Sequence, residues 1–263
     1  VLKFRALARH LGPDQPMYGL QARGLDGRAS PATAVEAMAE HYLAEVQTVQ
    51  PRGPYYLGGQ CFGGMVALEM ARQLQARGER VGLLAMFDDY APGYTRLLPR
   101  AARARLRLRW LRQRGAHHLG LLRRRAPRDR ARHLATEIGL VGGRVAAFLR
   151  AARLRRYDAT GADLPPELRN VRAANQLAQR AYVPGPFVGQ PALFMVDHTD
   201  EALVDPDPLW GWGRLATEGI ATYEVPGDHE TMWEEPHAAA LGERLRAVLD
   251  EAQARAEAEP RPG

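Results

Sequence analysis

Apolar and polar residues follow two alternating patterns along this chain. Short, nearly continuous apolar runs lie at residues 55–58, 81–87, 191–196 and 220–225. Segments with apolar residues at helical spacing lie at residues 2–11, 35–46, 65–74 and 236–249. Continuous apolar runs are typical of parallel strands buried on both faces. Strands that alternate with helices predict a doubly wound, mostly parallel α/β sheet.

Two further elements are predicted in the N-terminal part. Residues 17–21 are interpreted as a short strand, bounded by Pro16 and by a glycine-containing turn. Ser30-Pro31 is a helix-start signal, because Ser is a good N-cap and Pro fits the first helical position.

One long region, residues 90–183, interrupts the alternation. It is poor in strand-like runs and rich in Arg, Ala and Leu. Because it is too long for a loop, we interpret it as a helical insertion that forms a lid. The predicted division is an α/β core in two parts, residues 1–89 and 184–251, with the lid at 90–183 and a polar tail at 252–263.

The positive charge of the chain is concentrated in this insertion. Residues 100–132 contain thirteen arginines and a single acidic residue, Asp129, whereas the whole chain carries a formal charge of +6. The arginines alternate with Leu, Ala and Trp110, as on the solvated face of amphipathic helices, rather than with a series of stacking aromatic residues. We therefore expect no nucleic-acid partner. A solvated helical face and a docking surface for an acidic protein both remain open.

Composition also bears on the compartment. No apolar run approaches the roughly 18 residues of a membrane span, and the start of the chain lacks the apolar core of a signal peptide. A single cysteine among 263 residues is typical of a reducing compartment. We therefore expect a cytoplasmic protein without a membrane partner. Since the chain begins on Val1 within an amphipathic pattern, we expect it to be part of a longer polypeptide.

The sequence Gly59-Gln60-Cys61-Phe62-Gly63 is a candidate nucleophile elbow with Cys where Ser is expected. It follows an apolar run and leads into a helical segment, the strand–turn–helix context that such an elbow requires. Its glycines allow strand and helix to pass closely at a sharp turn. The alternative is a small buried thiol in a structural turn.

A thiol nucleophile needs a base and a group that orients the base. His229 lies in a turn directly after the last predicted strand, where the histidine of such a triad is expected. His198 also follows a predicted strand and is the rival. The other histidines lie on helical segments or in the basic region: His10, His41, His117, His118, His133 and His237.

The acid has several candidates. Asp88 ends the apolar run at 81–87, and functional groups gather at the carboxyl ends of parallel strands. Asp89 is adjacent and would point elsewhere if Asp88 points inward. Asp197 and Asp200 follow the next strand, which is the commoner position of the acid in hydrolases with a nucleophile elbow on a parallel sheet. We favour Asp88 and keep the other three as alternatives.

Several motifs together carry a family resemblance. They are Tyr56-Leu57-Gly58-Gly59-Gln60-Cys61-Phe62-Gly63-Gly64, Ala67-Leu68-Glu69-Met70-Ala71, Phe87-Asp88, Gly227-Asp228-His229-Glu230-Thr231-Met232 and the segment Phe4 to Gly27. This combination resembles the type I thioesterase domains that end nonribosomal peptide synthetases. The resemblance covers most of the chain except the insertion, where that family carries a variable lid. It implies an α/β-hydrolase fold and an acid at Asp88.

The resemblance also implies a mechanism. A peptidyl or acyl chain would arrive on the phosphopantetheine arm of a carrier domain, on the same parent polypeptide. Cys61, deprotonated by His229, would attack the thioester, and the amide of Phe62 would donate to the oxyanion. Water, or an internal amine or hydroxyl, would then release the product as an acid, lactam or lactone. The arm belongs to the partner, and no metal or bound cofactor is implied.

Two features depart from the family pattern. The strand and loop that supply the second oxyanion donor are expected before Val1, so the sheet is expected to lack its first core strand and that loop. Cysteine in place of serine keeps the transferred acyl group activated as a thioester, which would help a ring closure; a tolerated variant that releases a plain acid is the simpler alternative. Other functions left open are a stand-alone editing thioesterase and a non-catalytic docking domain.

Overall fold

The secondary structure alternates between strands and helices as the sequence predicts. The computed structural model describes residues 2–94, 98–104, 108, 170–196 and 207–258. The helices are α1 (Arg5–His10), α2 (Val35–Val49), α3 (Phe62–Ala76), α4 (Val171–Ala181) and α5 (His237–Ala258). The strands are β1 (Tyr55–Gln60), β2 (Val81–Phe87), β3 (Ala192–Val196) and β4 (Ala221–Val225), and 3-10 turns lie at Leu2–Phe4, Trp212–Arg214 and Thr231–Trp233.

The four described strands form one parallel sheet in the order β1-β2-β3-β4. At its carboxyl edge Gln60 pairs with Phe87, Phe87 with Phe194, and Val196 with Val225. The prediction of a parallel sheet is confirmed. This register brings the residues that follow β1, β2 and β4 to the same edge, where parallel sheets collect their functional groups.

Both faces of the sheet are covered by helices, and β2 shows how. Its residues Leu83, Ala85 and Phe87 pack in one cluster with α1 and α5, while Leu84 and Met86 pack in another with α3. Successive side chains of a strand point to opposite faces. Because both faces of β2 are buried, every position of the strand is apolar or small, which gives the continuous apolar run at 81–87.

The two further N-terminal predictions are wrong in detail. Residues 17–21 form no strand in the structure, and Met17, Tyr18 and Leu20 are 41%, 71% and 41% exposed. Among the described residues, no strand pairs with this segment. Helix α2 begins at Val35, after an extended Ala34 whose side chain makes no capping bond. The Ser30-Pro31 signal lies in the irregular segment that precedes the helix.

Only the end of the predicted insertion is described at length. Helix α4 and the residues after it pack on α3 through a buried carboxylate, Glu69. Glu69 accepts hydrogen bonds from Arg72 at 2.6 Å, Tyr182 at 2.8 Å and Gln73 at 3.1 Å. Burial, together with the bond to Glu69, raises the pKa of Tyr182 well above its usual range. Residues 109–169, which include most of the Arg-rich stretch predicted at 100–132, lie outside the described residues, so the lid and its charge stay predictions.

Helix α5 continues through the predicted boundary at residue 251. It ends at Ala258, and Ala252 is buried among the core residues of one sheet face. The first turns of the predicted polar tail are therefore part of the packed helix. Across the described ranges, no helix is both long and apolar enough to cross a membrane.

The turn between β1 and α3 explains which elbow glycines the fold requires. A Cβ on Gly59 would overlap the carbonyl group of Gly63 and come within 2.5 Å of the Gly64 nitrogen. A Cβ on Gly64 would lie 2.7 Å from Met86 Cε. A Cβ on Gly63 would meet nothing within 4 Å. The close approach of strand and helix therefore depends on Gly59 and Gly64 rather than on Gly63.

We predict that Gly59→Ala lowers the free energy of unfolding by about 2–3 kcal/mol, because the backbone atoms it meets cannot rotate away. Gly63→Ala is the matched control and should unfold at or above the wild-type urea concentration, since Ala is the better helix former. Equal urea midpoints for the two variants would contradict this account of the elbow.

Candidate active site

Cys61 occupies the sharp turn between β1 and α3. Its backbone has φ 56° and ψ −128°, outside the regions that side chains with a Cβ normally adopt. Such strain persists only where surrounding structure enforces it, and here the strand and the helix fix the residues on both sides. The Cys61 side chain is exposed. The alternative of a buried structural thiol is therefore wrong.

Asp88 follows β2 and is the buried acid of the site, with its side chain 1% exposed. Its Oδ2 lies 2.9 Å from Nδ1 of His229, and its Oδ1 accepts from the N–H of Val196 at 3.2 Å. Its own N–H donates to the carbonyl of Phe194 at 2.8 Å. The carboxylate thus joins the ends of β2 and β3 to the histidine.

His229 lies in the turn after β4, and its neighbour Asp228 shapes that turn. Asp228 Oδ1 accepts from the N–H groups of Glu230 at 2.9 Å and Thr231 at 2.8 Å. These bonds, led by that from Thr231, lower the pKa of the Asp228 carboxyl. The backbone carbonyl of His229 accepts from Nε2 of Gln60 at 2.7 Å. The imidazole is therefore held through its ring and its backbone.

The three predicted triad residues come together at the carboxyl edge of the sheet. The hydrogen bond with Asp88, followed by one with the Cys61 side chain, raises the pKa of His229 to about 10. A ring nitrogen of His229 and the Sγ of Cys61 lie within 4.8 Å of each other. An imidazole between a buried carboxylate and a thiol is the arrangement that supports a thiolate–imidazolium pair.

Asp89 also faces the elbow, and the sequence analysis missed this. Its Oδ2 accepts a hydrogen bond from the backbone N–H of Cys61. Asp88 has a φ of 53°, so the chain leaves the alternating geometry of a strand at this point. That is why consecutive aspartates both reach the site. Burial, partly offset by the bond from Cys61, raises the pKa of Asp89 to about 7.

Gln60 and Lys3 extend the site beyond the predicted residues. The Gln60 side chain is buried, and its Oε1 accepts from the ammonium group of Lys3. Lys3 Nζ also lies 5.5 Å from the centre of the Trp233 ring, close to the histidine turn. The one signal in the sequence is the place of Gln60 directly before the nucleophile candidate; Lys3 gives none.

The remaining candidates are placed as follows. Phe62 is the first residue of α3, where the amides of a helix have no acceptor within the helix. Asp197, Asp200 and His198 lie outside the described residues. Among the described acids, Asp88 is the one hydrogen-bonded to Nδ1 of His229.

Comparison with known proteins decides the family. The profile of the thioesterase domain family matches residues 1–249. The chain belongs to this family. The thioesterase domain is 30% identical over 258 residues to chondramide synthase cmdD of Chondromyces crocatus, covering 94% of this chain and 6% of that protein. The chain spans 6% or less of the length of four curated relatives that it matches.

Solved structures give the same fold. The four-domain nonribosomal peptide synthetase holo-AB3403, bound to AMP and glycine, matches 94% of this chain and 18% of its own, with a TM-score of 0.62 and 27% identity. The NocB thioesterase domain, in covalent complex with a fluorophosphonate nocardicin G analog, matches 94% of this chain and 88% of its own, with a TM-score of 0.59 and 24% identity. The predicted α/β-hydrolase fold is confirmed.

The raised pKa of His229 gives a direct prediction. The imidazolium should persist through neutral pH and be lost only as the pH rises through about 10, instead of near the ordinary value of 6.5. Since the bond with Asp88 is the largest cause, Asp88→Asn should move the titration towards 6.5. NMR titration of isotope-labelled histidine follows this change, with His229→Asn assigning the signal. A wild-type His229 that titrates near 6.5 would contradict the geometry.

Proposed function

We propose that this thioesterase domain accepts a peptidyl or acyl chain from a phosphopantetheinyl carrier domain onto Cys61, and releases it by cyclisation or hydrolysis. One observation carries the proposal. An exposed thiol on a strained elbow lies within 4.8 Å of a ring nitrogen of His229, and Nδ1 of that ring is 2.9 Å from a buried carboxylate. Similarity to a multidomain peptide synthetase supports a carrier domain as the partner.

The acylation step starts from the thiolate–imidazolium pair, in which His229 already holds the Cys61 proton, and the thiolate attacks the thioester carbonyl. A bond forms between Sγ and the acyl carbon, and the bond to the phosphopantetheine sulfur breaks. His229 returns its proton to the departing thiolate. Asp88 holds the tautomer and stabilises the imidazolium, since its carboxylate lies against Nδ1.

We assign the oxyanion of this step to the amide of Phe62. This amide directly follows the nucleophile and begins α3, whose N-terminal end favours negative charge. Preorganised donors of this kind act on charge that develops only in the transition state. Asp89 fixes the backbone on the other side of Cys61, through the Cys61 N–H.

In the release step, water or an internal amine or hydroxyl attacks the acyl group on Cys61, and His229 takes the nucleophile's proton. The thiolate then leaves and is reprotonated. Because Cys61 holds the chain as a thioester, the acyl group stays as activated as it was on the carrier arm. The extra free energy of the thioester favours attack by an internal amine or hydroxyl, because closing a ring costs free energy that an oxoester would supply less well.

The proposal predicts a covalent intermediate. Incubation with a peptidyl thioester of a pantetheine analogue should add the acyl mass to the protein, as read by intact-mass spectrometry. Cys61→Ala should show no adduct, and His229→Ala should form it at least about 10²-fold more slowly. An adduct of equal yield in Cys61→Ala, or none in a folded wild type, would exclude this function and favour a docking domain.

The identity of the nucleophile gives a separate prediction. Cys61→Ser should form an oxoester, which is less activated, so the ratio of cyclic to hydrolysed product should fall. Chromatography of products from one substrate at matched turnover measures that ratio. The same ratio and rate in both proteins would mean that cysteine is a tolerated variant.

A further inference from the structure

The site contains three kinds of side chain that together suit a metal ion. The Sγ of Cys61, a carboxylate oxygen of Asp89 and a ring nitrogen of His229 all lie within 4.8 Å of one another. Thiolate, imidazole and carboxylate are the ligands that zinc takes in proteins. We propose that these three side chains form a Zn²⁺ site, and that zinc bound there reversibly blocks Cys61. Zinc binding at these three side chains does not depend on the proposed function. Inhibition of acyl transfer by the bound zinc rests on that function.

The orientation of His229 supports the site. Its Nδ1 lies 2.9 Å from Asp88 Oδ2, which leaves Nε2 for a metal. Zinc-binding histidines typically donate their other ring N–H to a carboxylate, which fixes the ring and strengthens the metal bond. Asp88 is buried and already held by the N–H of Val196. The supporting contact of a zinc histidine therefore exists before any metal binds.

The distances fit after small side-chain movements. Zinc bonds of about 2.3 Å to sulfur and 2.0–2.2 Å to nitrogen or oxygen place tetrahedral ligand atoms roughly 3.3–3.6 Å apart. Ligand atoms within 4.8 Å reach this spacing by shifts of about 1 Å, which rotation of the Cys61 and Asp89 side chains provides. Because Cys61 is exposed, solvent can supply the fourth ligand.

The chemistry of binding is ligand exchange. Zinc–sulfur, zinc–nitrogen and zinc–oxygen bonds form to Cys61, His229 and Asp89 as water leaves the hydrated ion, the protons on these ligand atoms pass to solvent, and no group is oxidised or reduced. A zinc-bound sulfur cannot attack a thioester, and the bound nitrogen cannot carry a proton. A serine hydroxyl at position 61 would be a poor ligand for zinc at neutral pH. Inhibition by zinc is therefore expected of an elbow with cysteine at position 61 and not of one with serine there.

The first test uses tag-free protein and metal alone. Titration of Zn²⁺ against a chromophoric chelator should show one tight equivalent per chain. Co²⁺ in its place should give the near-ultraviolet absorption of a cobalt–thiolate bond. Cys61→Ser should lose this band, and Asp89→Asn, which keeps an acceptor for the Cys61 N–H, should weaken zinc binding at least about tenfold.

A matched control is available at a second histidine–carboxylate pair. His10 Nε2 lies 2.7 Å from Glu235 Oε1 on the surface, and neither side chain belongs to the proposed zinc site. His10→Asn should leave the tight equivalent and the cobalt band unchanged. Tight zinc binding retained in Cys61→Ser, or a wild type without the cobalt–thiolate band, would overturn the site. Unchanged affinity in Asp89→Asn would overturn the three-ligand arrangement.

The rate of Cys61 alkylation measures whether zinc covers the thiol, and this measurement needs no thioester substrate. Cys61 is the single cysteine of the chain, so intact mass after iodoacetamide reports on it alone. Zinc at saturating concentration should slow alkylation at least about tenfold, and a chelator should restore the rate. An alkylation rate that saturating zinc leaves unchanged would overturn the claim that the metal covers Sγ, whether or not the domain proves to be a thioesterase.

Discussion

The site depends above all on the buried carboxylate of Asp88. Its two oxygens bond the N–H of Val196 at the end of β3 and Nδ1 of His229 in the turn after β4. A carboxylate with a 1% exposed side chain needs such partners, because burial of an unpaired charge is costly. The same bonds that satisfy Asp88 fix the imidazole against the elbow and raise the pKa of His229 to about 10. The hydrogen bond between Asp88 and His229 therefore both compensates the buried carboxylate and sets the charge of the imidazole.

The elbow is held from several directions at once. Gly59 lets β1 pass against the first turn of α3, Asp89 accepts the N–H of Cys61, and Gln60 joins the strand end to the backbone of His229. Lys3 ties the N-terminal turn to Gln60. These contacts hold the chain on the N-terminal side of Cys61, and helix α3 holds it on the C-terminal side, which explains how a residue at φ 56° is maintained.

The sequence predicts the elements that follow simple periodicity. The continuous run at 81–87 predicts a strand buried on both faces, and the placement of Cys61, Asp88 and His229 after strands predicts their meeting at one edge. Asp89 could not be predicted, because alternation along a strand points it away from Asp88 and only the positive φ of Asp88 reverses this. Lys3 is 57 residues from its partner Gln60, and a contact of this kind leaves no periodic signal.

A double-mutant cycle between Asp88 and His229 tests the central claim, that the carboxylate acts on Cys61 through the imidazole. The rate constant of Cys61 acylation is measured for wild type, Asp88→Asn, His229→Ala and the double variant. Each single change should slow acylation by roughly 10²–10⁴. Residues that act as one unit are far from additive, so the double variant should be no slower than His229→Ala alone. A double variant slowed by the product of the two single effects would contradict the account.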